Sequence, residues 1–199
     1  NIKWWNDVRA VGNRIVRPHS EQMVFSIPGD VRDGMDYPPQ TPMSRRHHGQ
    51  EGLDLSQNRR FVIAFNEVYG GGKEAIDCIS VTDGEIYGNT VHDSLNGIYI
   101  DAWTRPIERV KIYRNFIHSA FNGIPMSTEG SNKLLDFEVF ENICIDSHQD
   151  GIALNEATRK SKPTDVSGHR IHHNTIYRGG TYGDSIDWLS GGITVNGHL

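Results

Sequence analysis

Six times along this chain an apolar-rich segment runs into an asparagine. The segments are VRAVGN to Asn13, FVIAFN to Asn66, GEIYGN to Asn89, VKIYRN to Asn115, FEVFEN to Asn142 and HRIHHN to Asn174. The last four steps between these asparagines are 23, 26, 27 and 32 residues. Three positions before each Asn stands Ala10, Ile63, Ile86, Ile112, Val139 or Ile171, and two positions after it stands Ile15, Val68, Val91, Ile117, Cys144 or Ile176. An apolar position that returns in every copy is a core column.

A second pattern follows each Asn: GLDL from Gly52, AIDC from Ala75, GIYI from Gly97, GIPM from Gly123, GIAL from Gly151 and GITV from Gly192. Leu53, Ile76, Ile98, Ile124, Ile152 and Ile193 form one inward column, and Leu55, Cys78, Ile100, Met126, Leu154 and Val195 the next. The period of two predicts short strands with one buried face. Helical periodicity never persists beyond a few residues. Strands of this kind bury that face by stacking coil on coil, which predicts a solenoid with strands ~4.8 Å apart. The recurring Asn fits a ladder of side-chain amides at a corner, where Asn also tolerates a left-handed backbone. Cys78 and Cys144 fall in inward columns and read as core thiols.

The stretch from Glu74 to Glu156, with IYGNTVHDSLNGIYID and IYRNFIHSAFNGIPM at its centre, resembles the right-handed parallel β-helix superfamily of pectate-lyase-like proteins. The resemblance covers most of 51–199 and, more loosely, 1–25. It implies a right-handed parallel β-helix of about six coils, an all-β fold spanning 1–199 as one domain. It also implies a polysaccharide or oligosaccharide partner and an extracellular or periplasmic location, although no leader is recognisable in these residues. Residues 26–50 hold four of the eight prolines and fit no strand pattern, so they read as an excursion from the first coil; 156–168 and 178–191 are smaller ones. All three adjoin the GLDL column, where they would wall a groove over it; for 26–50 the alternative is a disordered segment or a cap packed against the end of the β-helix.

The outward positions of that column carry the chemistry. Two residues past the small residue come Asp54, Asp77, Tyr99, Pro125, Ala153 and Thr194; four past come Ser56, Ile79, Asp101, Ser127, Asn155 and Asn196. Just before it come Glu51, Glu74, Asn96, Asn122 and Asp150, and Glu129 lies six past Gly123. Asp54 and Asp77 share a column, so their Cα atoms stand ~4.8 Å apart, a spacing that raises one pKa or shares a cation. Asp77 and Asp101 lie one coil and two residues apart, roughly 8 Å, which leaves room for a water between carboxyls as in inverting glycoside hydrolysis. Tyr99 and Trp103 offer ring faces to a sugar.

Three functions follow from this face. The first is hydrolysis of a glycosidic bond, with Asp77 and Asp101 as the acid/base pair, Glu129 as the third carboxyl, and Tyr99, Trp103, Lys73 and Arg105 against the substrate. The second is a polysaccharide lyase in which Asp54, Asp77 and Glu74 hold calcium and Lys73 or an Arg is the base. The third is a non-catalytic glycan-binding or structural β-helix. The resemblance implies particular signatures for two of these, and this chain departs from both. Where chondroitinase-B-like lyases carry their basic residues this chain has Ile79 and Asp101, and the Asp-Asp pair and Gly-His-Gly of the galacturonase-like hydrolases are absent.

The remaining features bound the partners. Lys and Arg number 20 against 25 Asp and Glu, and the short basic run Arg45, Arg46, His47, His48 is no nucleic-acid groove. No apolar stretch approaches a membrane span. His92 and His118 occupy equivalent places in adjacent coils and are expected to stack. In a strand, His169 and His173 would face one way and His172 the other, a poor arrangement for a three-His metal site. The sequence starts at Asn1 and ends just past the apolar run Ile193 to Val195, so both ends read as cut, and the exposed C-terminal coil is expected to invite self-association.

Overall fold

A computed structural model of the chain describes residues 2–3, 6–16, 31–32, 35–36, 51–70, 73–130, 132–155, 165–180 and 191–196. It is a parallel β-helix: three sheets run the length of the molecule, and every strand in them pairs in parallel with the equivalent strand of the next coil. The first sheet is built from Ile2–Lys3, Leu53–Ser56, Glu74–Ile79, Asn96–Asp101, Ile124–Ser127, Asp150–Asn155 and Gly191–Asn196. The second holds Asn6–Val11, Arg59–Ala64, Thr82–Tyr87 and Ile107–Tyr113, then splits into Leu134–Leu135 with Val166–Ser167 and Glu138–Phe140 with Arg170–His172. The third holds Arg14–Val16, Glu67–Tyr69, Thr90–His92, Phe116–His118, Ile143–Ile145 and Thr175–Tyr177.

The apolar columns read from the sequence are the rungs of the core. Leu53 pairs with Ile76 and Ile76 with Ile98; Ile124 pairs with Ile152 and Ile152 with Ile193. Ile63, Ile86, Ile112 and Val139 stack in the second sheet, and Val68, Val91, Ile117 and Cys144 in the third. These side chains are sealed from solvent except toward the two ends of the first sheet, where Leu53 is half-buried and Ile193, expected inward, is exposed; both cysteines are buried and free. Each fully buried Ile contributes ~1.5–3 kcal/mol, so the fold is held by stacking and needs no helix. Among the described residues no helix is long and apolar enough to cross a membrane.

The asparagines form a continuous ladder. Asn13, Asn66, Asn89, Asn115 and Asn142 each donate from Nδ2 to the Oδ1 of the next coil's Asn, at 2.9 to 3.0 Å, ending on Asn174. That same Oδ1 also accepts the backbone N–H of the preceding Asn, and each Nδ2 from Asn66 onward donates to a backbone carbonyl as well, such as Ile63 for Asn89. Buried amides are thereby satisfied, and a slip in register would orphan several at once. The left-handed residue at this corner is not the Asn, as expected, but the residue before it. Phe65, Arg114, Glu141 and His173 have φ of 52–55°, and Gly12 and Gly88 fill the same place. A non-glycine residue held there costs about 1 kcal/mol or more, which the amide ladder offsets.

A second left-handed column runs through the middle of the second sheet at Asp7, Arg60, Asp83, Arg109 and Asp136. Its charges alternate in sign, with Arg60 Nε 2.6 Å from Asp7 Oδ1 and Arg109 Nε 2.5 Å from Asp83 Oδ1. These pairs are exposed and contribute at most about 1 kcal/mol each. Rings stack along the outer surfaces too: Tyr87, Tyr113 and Phe140 at 4.9 Å intervals, and Tyr69, His92 and His118 at 4.6 Å.

Residues 26–50 fall outside the described residues apart from 31–32 and 35–36, which form a short antiparallel pair. The excursion expected at 156–168 is shorter than predicted, because Val166–Ser167 returns to the second sheet beside Leu134–Leu135. The remainder of that loop, and 181–190, lie outside the described residues, as does their part in walling a groove.

Candidate active site

Asp54, Asp77 and Asp101 lie on the outer face of the first sheet, Glu74 opens one of its strands, and Glu51 and Glu129 lie just before and just after two others. Asp54 pairs with Asp77, Asp77 with Tyr99, and Asp101, two residues beyond Tyr99, pairs with Ser127. Asp77 and Asp101 therefore sit on the same face, one coil and two residues apart. This face differs from the outer faces of the other sheets in being sheltered. Asp77 and Asp101 are 4% and 3% exposed, and Ser56, Ser127, Ala153 and Thr194 in the same rows are buried as well. A carboxyl pointing away from the core and still sealed from water is an unusual burial.

The first half of the face gathers around Lys73. Glu51, Glu74 and Asp77 each bring a carboxylate oxygen within 4.8 Å of the others. The Lys73 ammonium makes a close ion pair with Glu51 and lies 3.9 Å from Glu74. Glu74 Oε1 accepts a hydrogen bond from Asn96 Nδ2, while Asp77 Oδ1 has no hydrogen-bond partner among the described residues. Burial, and after it the charges of Glu74, Asp54 and Glu51, push the Asp77 carboxyl up to about 9 against the pull of Lys73. Asp77 is therefore a neutral acid at pH 7. Burial raises Glu74 in the same direction. For Lys73 desolvation works to lower the pKa, but the Glu51 hydrogen bond and the charges of Glu74, Glu51 and Asp77 outweigh it, so it rises.

The second half is a hydrogen-bonded chain. Tyr99 donates its phenolic proton to Glu129 Oε1 at 2.8 Å, and the Glu129 backbone N–H donates to Asp101 Oδ1 at 3.0 Å. Burial, then the charges of Asp101 and Glu129, raise the Tyr99 phenol well above its ordinary value, so it stays a donor. Glu129 lies past the strand Ile124–Ser127, in the turn that follows. The strand alone does not bring it to Asp101; its own backbone hydrogen bond does.

Trp103 and Arg105 sit in the turn after Asp101. The Trp103 N–H donates to the Asp101 carbonyl, and its own carbonyl accepts from Asn132 Nδ2. Gly130 packs so close that an added Cβ would stand 1.8 Å from the Trp103 oxygen, so only glycine fits there. Trp103 as a whole is 42% exposed. Ser80 Oγ accepts the N–H groups of Thr104 and Arg105 and fixes this turn. Sequence reasoning missed Ser80; its one signal was a small hydroxyl residue ending a strand, which is weak. The place of Glu51 beside Lys73 was likewise invisible, since that contact runs between coils through side chains.

The histidine expectations divide. His92 and His118 stack as predicted. His169 stands apart, its Nδ1 accepting the Phe137 N–H. His172 and His173 do not face opposite ways. The strand stops at His172, His173 is left-handed at φ 54°, and their Nδ1 atoms come within 2.7 Å of each other.

No protein-family model matches this chain, and comparison with curated proteins and with solved structures likewise finds no match.

Proposed function

We propose that the sheltered face of the first sheet cleaves glycosidic bonds of a polysaccharide by hydrolysis, as the resemblance to pectate-lyase-like β-helix proteins implies in outline. One observation carries this reading: a solvent-sealed Asp77 carboxyl stands one rung from the Tyr99–Glu129–Asp101 chain on a single sheet face. Asp77 protonates the leaving oxygen as the bond to the anomeric carbon breaks. A water attacks that carbon and passes its proton to Asp101, with Glu129 as the third carboxyl and Tyr99 orienting it. Trp103 stacks on a sugar ring, and Lys73 and Arg105 hydrogen-bond sugar hydroxyls. Unfractionated polysaccharides incubated with the chain should release new reducing ends without ultraviolet-absorbing unsaturated sugars. Unsaturated products would establish a lyase, and binding with no product would establish a glycan-binding β-helix.

The lyase reading has one observation of its own. Oxygens of Glu51, Glu74 and Asp77 are all within 4.8 Å, and the hard carboxylate donors suit calcium, with Asp54 in the adjoining rung. Calcium bound there would neutralise an acidic substrate group. Of the bases that reading allows, Lys73 is held protonated by Glu51 and an Arg guanidinium is protonated at any working pH, and a protonated base abstracts nothing. Hydrolysis is therefore the better-supported of the two.

A further inference from the structure

We propose that His172 and His173 form a two-imidazole site for a divalent transition-metal cation, separate from the acidic face. His172 closes the strand Arg170–His172 of the second sheet, and its ring stacks on Phe140 at 5.3 Å and 9°. The left-handed backbone at His173 turns the next ring edge-on, 87° from the first, instead of sending it to the opposite side of the strand. The two Nδ1 atoms are left 2.7 Å apart on the surface, with His172 half-buried and His173 exposed.

The tautomer follows from the other end of the His172 ring. Its Nε2 lies 3.3 Å from Glu138 Oε1, and a carboxylate accepts, so Nε2 carries the proton and Nδ1 presents a lone pair. Lys111 and Arg170, at 3.7 and 3.6 Å, pair with the same Glu138 carboxylate. A carboxylate behind an imidazole whose far nitrogen is free is the arrangement that orients metal-ligating histidines. In the metal-free chain the His173 Nδ1 proton fills the gap. A cation at ~2.0–2.1 Å from each nitrogen takes the place of that proton, His173 then carrying its proton on Nε2 after exchange with water, and the rings separate by a few tenths of an ångström. Among the described residues two protein ligands are present, so water completes the coordination and the metal is exchangeable. Copper(II) binds most strongly in the divalent series.

The test is titration of the tag-free full chain with copper(II), read by electron paramagnetic resonance and by calorimetry. One equivalent should bind with two nitrogens in its first shell. His172→Phe, which keeps the stack on Phe140, and His173→Asn, which tolerates the left-handed backbone, should each weaken that binding at least tenfold and remove one nitrogen; circular dichroism checks that each folds. Glu138→Gln should weaken it by roughly tenfold with both imidazoles in place. Absence of copper binding by the native chain, or affinity and nitrogen count unchanged in the two histidine variants, overturns the proposal.

Discussion

Asp77→Asn should make the protein increasingly more stable than the native chain as pH rises and simultaneously inactivate it. The folded chain keeps a proton on Asp77 up to about 9, whereas the unfolded chain releases it near 3.8. Between those values the unfolded state binds fewer protons, so this group's contribution to stability is complete below the lower value and is lost as pH rises toward the upper one. The slope is ~1.4 kcal/mol per pH unit for one proton. Asn has the shape of the neutral acid and does not titrate, so the difference in unfolding free energy between variant and native chain should move by about 4 kcal/mol in the variant's favour from pH 5 to pH 8. Urea unfolding followed by circular dichroism at pH 5, 6, 7 and 8 measures this directly. Other groups titrate in both proteins and largely cancel. Parallel stability curves for the two proteins would show that Asp77 ionises as an ordinary carboxyl, and the acid role assigned to it would be lost. The same variant has no proton to give a leaving group, so activity should fall roughly 10²–10⁴-fold.

Three further outcomes are expected. Asp101→Asn should lower polysaccharide cleavage by about 10²–10⁴-fold at an unchanged unfolding midpoint, measured by reducing-end release. Asn115→Ala removes an acceptor shared by two donors of Asn89 and takes from the Oδ1 of Asn142 one of its two donors, so it should cost ~2–5 kcal/mol in urea unfolding. Lys73→Met leaves the Glu51, Glu74 and Asp77 oxygens without their ammonium. Millimolar calcium should then raise the melting temperature of the variant more than that of the native chain, and chelator should reverse the gain.

The periodic part of this molecule was legible because it is one-dimensional. A residue's neighbours in a stacked solenoid are its equivalents in adjacent coils, so aligning GLDL, AIDC and GIYI was enough to place Asp54 beside Asp77 and Asp77 beside Tyr99. The asparagine ladder followed for the same reason. Features that break the period were not legible. Glu129 reaches Asp101 from a turn, through its backbone N–H. His173 leaves the alternation because the chain turns left-handed there. The left-handed corner falls on residues as different as Phe65, Arg114 and Glu141, so no residue type announced it. The burial of Asp77 and Asp101 depends on what lies over the sheet, which alternation within a strand does not encode.

The asparagine corner also sets where this architecture can acquire variety. From Ile63 to Val68, Ile86 to Val91, Ile112 to Ile117 and Val139 to Cys144 the chain takes the same five-residue step, locked by the amides. The other two corners stretch freely: Leu55 to Ile63 is short and Leu154 to Ile171 long, as is Ile176 to Ile193 against Val91 to Ile98. Both elastic corners flank the first sheet. Insertions accumulate around the acidic face while one rigid vertex keeps the stack in phase, so new loops can be tried there without retuning the core. A library that randomises length at those two corners and leaves every corner asparagine untouched should yield mostly folded chains.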